Sequence, residues 1–91
     1  HDVEVKALQA SEKIITVSLD NYSAEDLQIY VKVSADNLET QIGKPERQIL
    51  LEAGASNEIN IRLRGDTNSA IEIIVYDSQG IVMKAIPLVI E

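Results

Sequence analysis

The residues of this chain that could do chemistry are few, and their types limit what it can catalyse. His1 is the sole histidine and stands at the terminus, and cysteine is absent. Nucleophilic catalysis needs a positioned base, and zinc sites are built from cysteine and histidine. Glu25 and Asp26 form an adjacent carboxylate pair, but fifteen acids among 91 residues bring such neighbours together by composition alone. The sequence therefore predicts no enzyme and no cofactor.

Loop carboxylates and amides are the only candidates for a metal, which would be calcium. Calcium needs several oxygen atoms converging from a loop. The candidates lack an Asp-x-Asp-x-Asp spacing, and Asp and Asn also occupy turns because their side chains bond to local backbone. We expect no metal site, with calcium as the open alternative at Asp20-Asn21 together with Glu25-Asp26, and at Asp66-Thr67-Asn68 on a neighbouring corner.

Three tyrosines could form a stacking platform for a carbohydrate. Tyr30 and Tyr76 fall on the outward faces of their predicted strands, and Tyr22 lies in a loop. Outward tyrosines are also common cross-strand partners, so the pattern fits both interpretations. Asn21-Tyr22-Ser23 has the form of a glycosylation acceptor, a triplet that also arises by chance.

A mixed apolar patch is the candidate site for a protein partner. Ile74 and Tyr76 point outward from one predicted strand, and a hairpin would place Tyr76 near Val82 and Ile74 near Lys84. Exposed apolar side chains that cluster on one surface are typical of contacts between proteins. The predicted interaction patch is therefore Ile74, Tyr76 and Val82; the alternative is a face that a loop of the same chain covers.

These residues are positioned by strands, because apolar residues recur with a period of two along most of the chain. Isoleucine, valine and leucine dominate the apolar content, and the β-branched types suit a pleated surface. Each alternating segment predicts a strand with one buried face and one solvent-exposed face, as in antiparallel sheets. The clearest alternations run through Val3–Leu8, Ile15–Leu19, Leu27–Val33, Ile59–Leu63 and Ile71–Tyr76, with Val17, Val31, Ile61 and Ile73 predicted in the core.

Weaker signals fill the rest of the chain. Strands are predicted around Leu38–Ile42, over Arg47–Glu52 and over Ile81–Ile90, with a hairpin turn at Ser78–Gly80. In the second of these strands Ile49 and Leu51 face one way and Leu50 the other. Tyr22–Gln28 is predicted as a loop with at most one helical turn. If Ile81 and Met83 of the last strand point inward, then Val82 and Lys84 point outward. Pro87 cannot donate a ladder hydrogen bond, so it marks an edge or a bulge at which that phase can reverse.

Charge disfavours two classes of partner. The net charge is −7 with a pI near 4.6, and eight basic residues are scattered among the acids. Nucleic-acid binding needs clustered Lys and Arg, and anionic membranes attract the same residues. No apolar run reaches the roughly 20 residues of a membrane span. We expect neither nucleic acid nor membrane insertion, and we interpret residues 1–91 as one domain cut from a larger protein.

The order of these signals resembles a known group of modules. Ile14–Asn21 is followed by a small polar loop and then Ile29–Val33; Leu50–Ile61 holds a strand, a turn around Gly54 and a second strand; Ile73–Ile81 contains the closing hairpin. The pattern resembles the bacterial and archaeal CARDB-type modules related to cell adhesion, and their fibronectin-III-like relatives. The resemblance implies an extracellular spacer or accessory domain without a shared active site. The Cys, Trp and Cys of immunoglobulin cores are missing.

Together these observations predict an all-β, antiparallel immunoglobulin-like β-sandwich of about seven strands. The predicted function is a non-catalytic structural or protein-interaction module of an exported or cell-surface protein. Its partners would be neighbouring domains or other proteins. The alternative is a carbohydrate-binding accessory module that uses its exposed tyrosines.

Overall fold

The fold is all-β, as predicted. The computed structural model describes residues 2–35, 46–63 and 70–90, and within these ranges it contains strands and turns but no helix. Seven antiparallel strands are present: β1 (Val3–Ser11), β2 (Ile14–Asn21), β3 (Leu27–Ala35), β4 (Glu46–Leu51), β5 (Ser56–Arg62), β6 (Ala70–Asp77) and β7 (Val82–Val89). β1 extends three residues past its predicted end at Leu8. The predicted strand at Leu38–Ile42 lies outside the described residues.

The strands form two sheets, consistent with a β-sandwich. One sheet has the order β1-β2-β5 and the other has the order β4-β3-β6-β7. The inward residues of both sheets are almost all Ile, Val or Leu, and they form one buried cluster. The four predicted core residues are confirmed, since each is at most 1% exposed: Val17, Val31, Ile61 and Ile73.

The fourth strand belongs to the larger sheet. β4 pairs with β3 from Leu27↔Leu51 to Lys32↔Glu46, and the predicted alternation within it is confirmed. Leu51 is buried, whereas Leu50 is exposed on the opposite side. In constant-type immunoglobulin domains the fourth strand instead joins the sheet of the first, second and fifth. The sheet arrangement of this protein therefore differs from the constant-type arrangement in the placement of β4.

The β6–β7 hairpin turns where predicted. Gly80 has a φ of 81°, a left-handed conformation that glycine adopts without steric cost. The Asp77 carboxylate accepts hydrogen bonds from the backbone N–H groups of Gln79 and Ile81, at 2.9 and 3.0 Å. These bonds fix the turn, and hence the register in which β7 begins.

Two predictions about β7 are wrong, although Met83 packs against the core and Val82 is exposed, as predicted. Ile81 is 53% exposed rather than inward, because it lies in the turn before the strand begins. A bulge next to Val75 and Tyr76 shifts the register by one residue, so that Lys84 pairs with Val75 and not with Ile74. A bulge sets two residues of one strand opposite one of the other. Beyond it the alternation is regular through Pro87, which does not disturb it.

Candidate functional site

The outer face of the four-stranded sheet carries the predicted interaction patch. Residues paired across antiparallel strands share a face, so the pairing of β3, β4, β6 and β7 defines which side chains lie together there. We call this surface the tyrosine face; it consists of Gln28, Tyr30, Lys32, Ser34, Glu46, Gln48, Leu50, Ala70, Glu72, Ile74, Tyr76, Val82, Ala85, Pro87 and Val89.

Two stacked tyrosines occupy its centre. Tyr30 and Tyr76 pair directly across β3 and β6, with ring centroids 5.3 Å apart and ring planes within 10° of parallel. The Tyr76 hydroxyl donates a 2.7 Å hydrogen bond to the Glu46 carboxylate on β4. This bond, followed by partial desolvation, raises the pKa of Tyr76 above the ordinary tyrosine value. Ring stacking and the hydrogen bond to Glu46 thus order the pair before any partner binds.

Apolar side chains surround the pair. Val82 pairs with Tyr76 as predicted and is 56% exposed, and Ala85 pairs with Ile74 in the place expected for Lys84. Ile74 points outward but is half-buried among these neighbours. Leu50 extends the surface on the other side and is also 56% exposed. The structure therefore brings Ile74, Tyr76 and Val82 onto one face with Tyr30.

The opposite outer face has a different character. On the β1-β2-β5 sheet the outward residues are mainly short polar or charged side chains that bond to one another. Thr16 donates to Asn60 at 2.9 Å, and Lys6 pairs with Glu4 at 3.1 Å. Among the described residues of this surface, the most exposed large apolar side chain is Leu8, at 55%. We call this surface the polar face. Of the two outer faces formed by the described strands, the tyrosine face is the one with a broad apolar area.

Tyr22 lies apart from the other two tyrosines. It is 67% exposed and borders an open groove of about 330 Å³, whose lining includes Asp2, Glu4 and Lys84. Its backbone N–H donates to the Asp2 carbonyl at 2.7 Å, and its hydroxyl lies 3.5 Å from the Glu4 carboxylate. The negative charges of Asp20 and Glu4 raise the pKa of Tyr22. The groove combines an open aromatic ring with hydrogen-bonding groups.

Asn21, a predicted calcium or glycan candidate, is buried. It is 1% exposed, and its side-chain nitrogen donates to the carbonyls of Glu25, Leu51 and Glu52 at 2.8, 3.0 and 3.2 Å. Its side-chain oxygen accepts from the Ser23 N–H at 2.9 Å. Attachment of a glycan requires that nitrogen, which the folded domain encloses. Asn21 instead holds the β2–β3 loop to the end of β4.

The neighbouring loop acids also bond to the protein. Asp20 accepts from the Ser56 hydroxyl, and Asp26 accepts from the Ala53 N–H at 2.9 Å. The predicted loop around them is confirmed, since residues 22–26 form a bend without a helical turn. Among the described residues no three acidic or histidine side chains converge in a metal-binding group. Asp66-Thr67-Asn68 lies outside the described residues.

Sequence reasoning missed part of the tyrosine face. Leu50 was predicted to point away from the core, but its proximity to Tyr30 depends on β4 joining the larger sheet. Ala85 was missed because the bulge in β7 places it beside Ile74. The sequence did show a leucine, Leu50, at an outward position of an alternating strand, where a polar residue is usual. That signal does not show which sheet the strand joins.

The fold and site define a small two-sheet β domain with one polar and one apolar, aromatic outer face. Neither the known protein-family models nor the curated proteins contain a match to this chain. In the described part of the chain there is no helix with the length and apolar character needed to cross a membrane.

Proposed function

We propose that this domain is a non-catalytic interaction module of a larger exported or cell-surface protein. It binds a protein neighbour through the tyrosine face. The observation that carries the proposal is the concentration of Tyr30, Tyr76, Ile74, Val82 and Leu50 on one sheet face, while the other face is polar. Protein interfaces have an apolar, aromatic centre and a polar rim. Here Gln28, Gln48, Glu46 and Glu72 supply the rim.

We also propose that the domain is immunoglobulin-like, which is supported by the seven antiparallel strands of the described residues and their arrangement in sheets of three and four. The CARDB-type or fibronectin-III-like resemblance fits a module of this size without cysteine. Such modules act by rigidity and by surface contacts, which a pre-ordered tyrosine pair favours. A side chain already held in place loses less conformational entropy when a partner covers it.

The test compares two surface substitutions of equal exposure. Val82→Lys places a charge on the tyrosine face, and Leu8→Lys places the same charge on the polar face; both positions lie in edge strands. The probe is the domain that adjoins this one in the parent protein, produced separately and titrated by calorimetry. We expect Val82→Lys to weaken binding at least about tenfold, roughly 1.4 kcal/mol, and Leu8→Lys to leave it unchanged. Equal effects of the two substitutions would contradict the proposal.

A carbohydrate module is the second candidate, and one observation favours it. Tyr22 presents an exposed ring beside a groove with carboxylate and ammonium groups, which could hydrogen-bond to sugar hydroxyls. Tyr30 and Tyr76 fit this function less well, since each ring partly covers a face of the other. NMR titration with neutral mono- and disaccharides separates the candidates. Shifts around Tyr22 that disappear in Tyr22→Ala but persist in Tyr30→Ala would favour carbohydrate.

A further inference from the structure

We propose that the free edge of β5 (Ser56–Arg62) is a second binding site, which takes an extended segment of a partner protein as an added antiparallel strand. This edge, the β5 edge, ends the β1-β2-β5 sheet and is separate from the tyrosine face, so the inference goes beyond the proposed function. An added strand pairs its backbone with a sheet edge, and the side chains of alternate residues give specificity. Backbone groups, strand regularity and charge each point to this occupant.

Alternate residues of β5 direct their backbone groups away from β2. At the two ends of the β2–β5 pairing, the Leu63 N–H donates to the Lys13 carbonyl at 2.7 Å and the Asn21 N–H donates to the Ala55 carbonyl at 2.9 Å. Hydrogen-bonded pairs alternate with non-bonded pairs along an antiparallel ladder, so the odd-numbered residues of β5 bond to β2. The even-numbered residues therefore turn their N–H and C=O groups toward the free edge.

Two of these residues leave both backbone groups open. Neither Asn60 nor Arg62 pairs its backbone with another described residue on this side of the sheet. The Glu58 N–H instead donates to the side-chain oxygen of the exposed Asn57 at 2.8 Å. A row of unpaired donors and acceptors on a sheet edge is a template for another strand. Alternate residues of an extended chain repeat about every 6.7 Å, so a second extended backbone matches that row.

Each of the other three edge strands has a feature that hinders strand addition. β7 contains a bulge and Pro87, and β1 contains a bulge after Gln9. β4 sets Arg47 opposite the buried Val31, which places a charged residue on its inward side. Bulges, prolines and inward-pointing charges are the means by which proteins protect sheet edges. β5 has none of these, and its seven pairs with β2 follow one another without a shift in register.

The side chains beside the β5 edge specify the segment that fits it. Glu58, Asn60 and Arg62 are exposed on the polar face, while Ile59 and Ile61 are buried on the inward side. Neither Glu58 nor Arg62 forms an ion pair with another described residue, whereas the outward charges of β1 pair with each other. Opposite charges that face each other across neighbouring strands stabilise the pairing. The fitting segment therefore alternates polar and apolar residues, with a basic residue opposite Glu58 and an acidic residue opposite Arg62.

The test is amide hydrogen exchange of the isotope-labelled domain, measured by NMR with and without the capped peptide Glu-Val-Thr-Val-Lys. In antiparallel alignment this peptide sets its glutamate opposite Arg62 and its lysine opposite Glu58. In the domain alone, the amides of Asn60 and Arg62 should exchange quickly and those of Ile59 and Ile61 slowly, because only the latter pair with β2. Excess peptide should slow exchange at Asn60 and Arg62 and leave the amides of the tyrosine face unchanged.

A charge substitution on each outer strand of the same sheet provides the matched comparison. Glu58→Lys should weaken peptide binding at least about threefold, and a peptide with glutamate in place of its lysine should restore it. Glu4→Lys makes the same change of charge on β1 and should leave binding unchanged. Circular dichroism checks that both substitutions, at exposed positions, leave the domain folded.

Three results would overturn the proposal. Slow exchange of the Asn60 amide in the domain alone would show that the edge is already covered. Unchanged exchange at Asn60 and Arg62 in excess peptide would show that no strand adds there. Equal losses of binding in Glu58→Lys and Glu4→Lys would show that the peptide responds to overall charge. Each of these results leaves the tyrosine face untested, so the proposed function stands or fails on its own experiment.

Discussion

At the scale of single residues, Asn21 shows how a polar side chain is buried while its amide group keeps its hydrogen bonds. Its amide group bonds to carbonyls in the β2–β3 loop and at the end of β4, and no buried side-chain polar atom in the described ranges lacks a partner. The sequence predicted a turn residue here. It could not predict the burial, because Leu51 and Glu52 are about thirty positions away along the chain.

Replacing Asn21 should therefore destabilise the domain strongly. Asn21→Ala leaves buried carbonyls without donors, which costs about 2–4 kcal/mol of unfolding free energy. Asn21→Asp should cost more at neutral pH, because a carboxylate would face three carbonyl oxygens. Urea denaturation measures both. Asn60→Ala, an exposed change on the polar face, is the control and should cost less than about 1 kcal/mol; an equal loss there would contradict the role of Asn21.

Tyr76 gives a prediction about pH. Its pKa is raised, first by the hydrogen bond to Glu46, so the stabilisation from that bond is complete below the ordinary tyrosine pKa of about 10. It is lost as the pH rises through the elevated value. Glu46→Ala should return the Tyr76 pKa toward normal, measured by NMR titration of the ring. Glu4→Ala, whose carboxylate lies near Tyr22, should leave Tyr76 unchanged; a shift there instead would show that Glu46 is not the cause.

At the scale of elements, alternation predicted the faces of most strands but not the β7 bulge. Inward residues such as Val17 and Ile61 could be assigned because a strand with one buried face reveals its phase in its own sequence. The bulge adds one residue opposite β6 without changing composition, and Val82–Val89 contains apolar residues in both phases. Its position depends on the hydrogen bonds of the neighbouring strand, which the local sequence does not contain.

Adjacent isoleucines in β6 test the assignment of faces directly. Ile73 is fully buried, whereas Ile74 is half-buried on the tyrosine face. Ile73→Ala should cost about 2–5 kcal/mol of unfolding free energy. Ile74→Ala should cost about 1 kcal/mol, as partly exposed substitutions do. Denaturant unfolding compares the same chemical change one residue apart; a larger loss at Ile74 would mean that the phase of β6 is reversed and that the tyrosine face is part of the core.

At the scale of the whole molecule, the all-β class and the apolar core could be predicted, but the division into sheets could not. Period-two segments each predict a strand locally, whereas pairing joins distant segments, such as β2 with β5 and β3 with β6. The tyrosine face exists because β4 and β7 flank that central pair. Tyr76 and Val82 were predictable from a short hairpin, while Tyr30 and Leu50 required the global arrangement.

The central claim is that the tyrosine face binds a protein neighbour, and NMR mapping of the isotope-labelled domain tests it most directly. On addition of the unlabelled adjoining domain, backbone amides of β3, β4, β6 and β7 around Tyr30, Tyr76 and Val82 should shift or broaden, while β1 and β5 stay unchanged. Shifts confined to the groove beside Tyr22 or to the polar face around Leu8 would contradict the account. So would a titration with excess adjoining domain in which no backbone amide signal shifts or broadens.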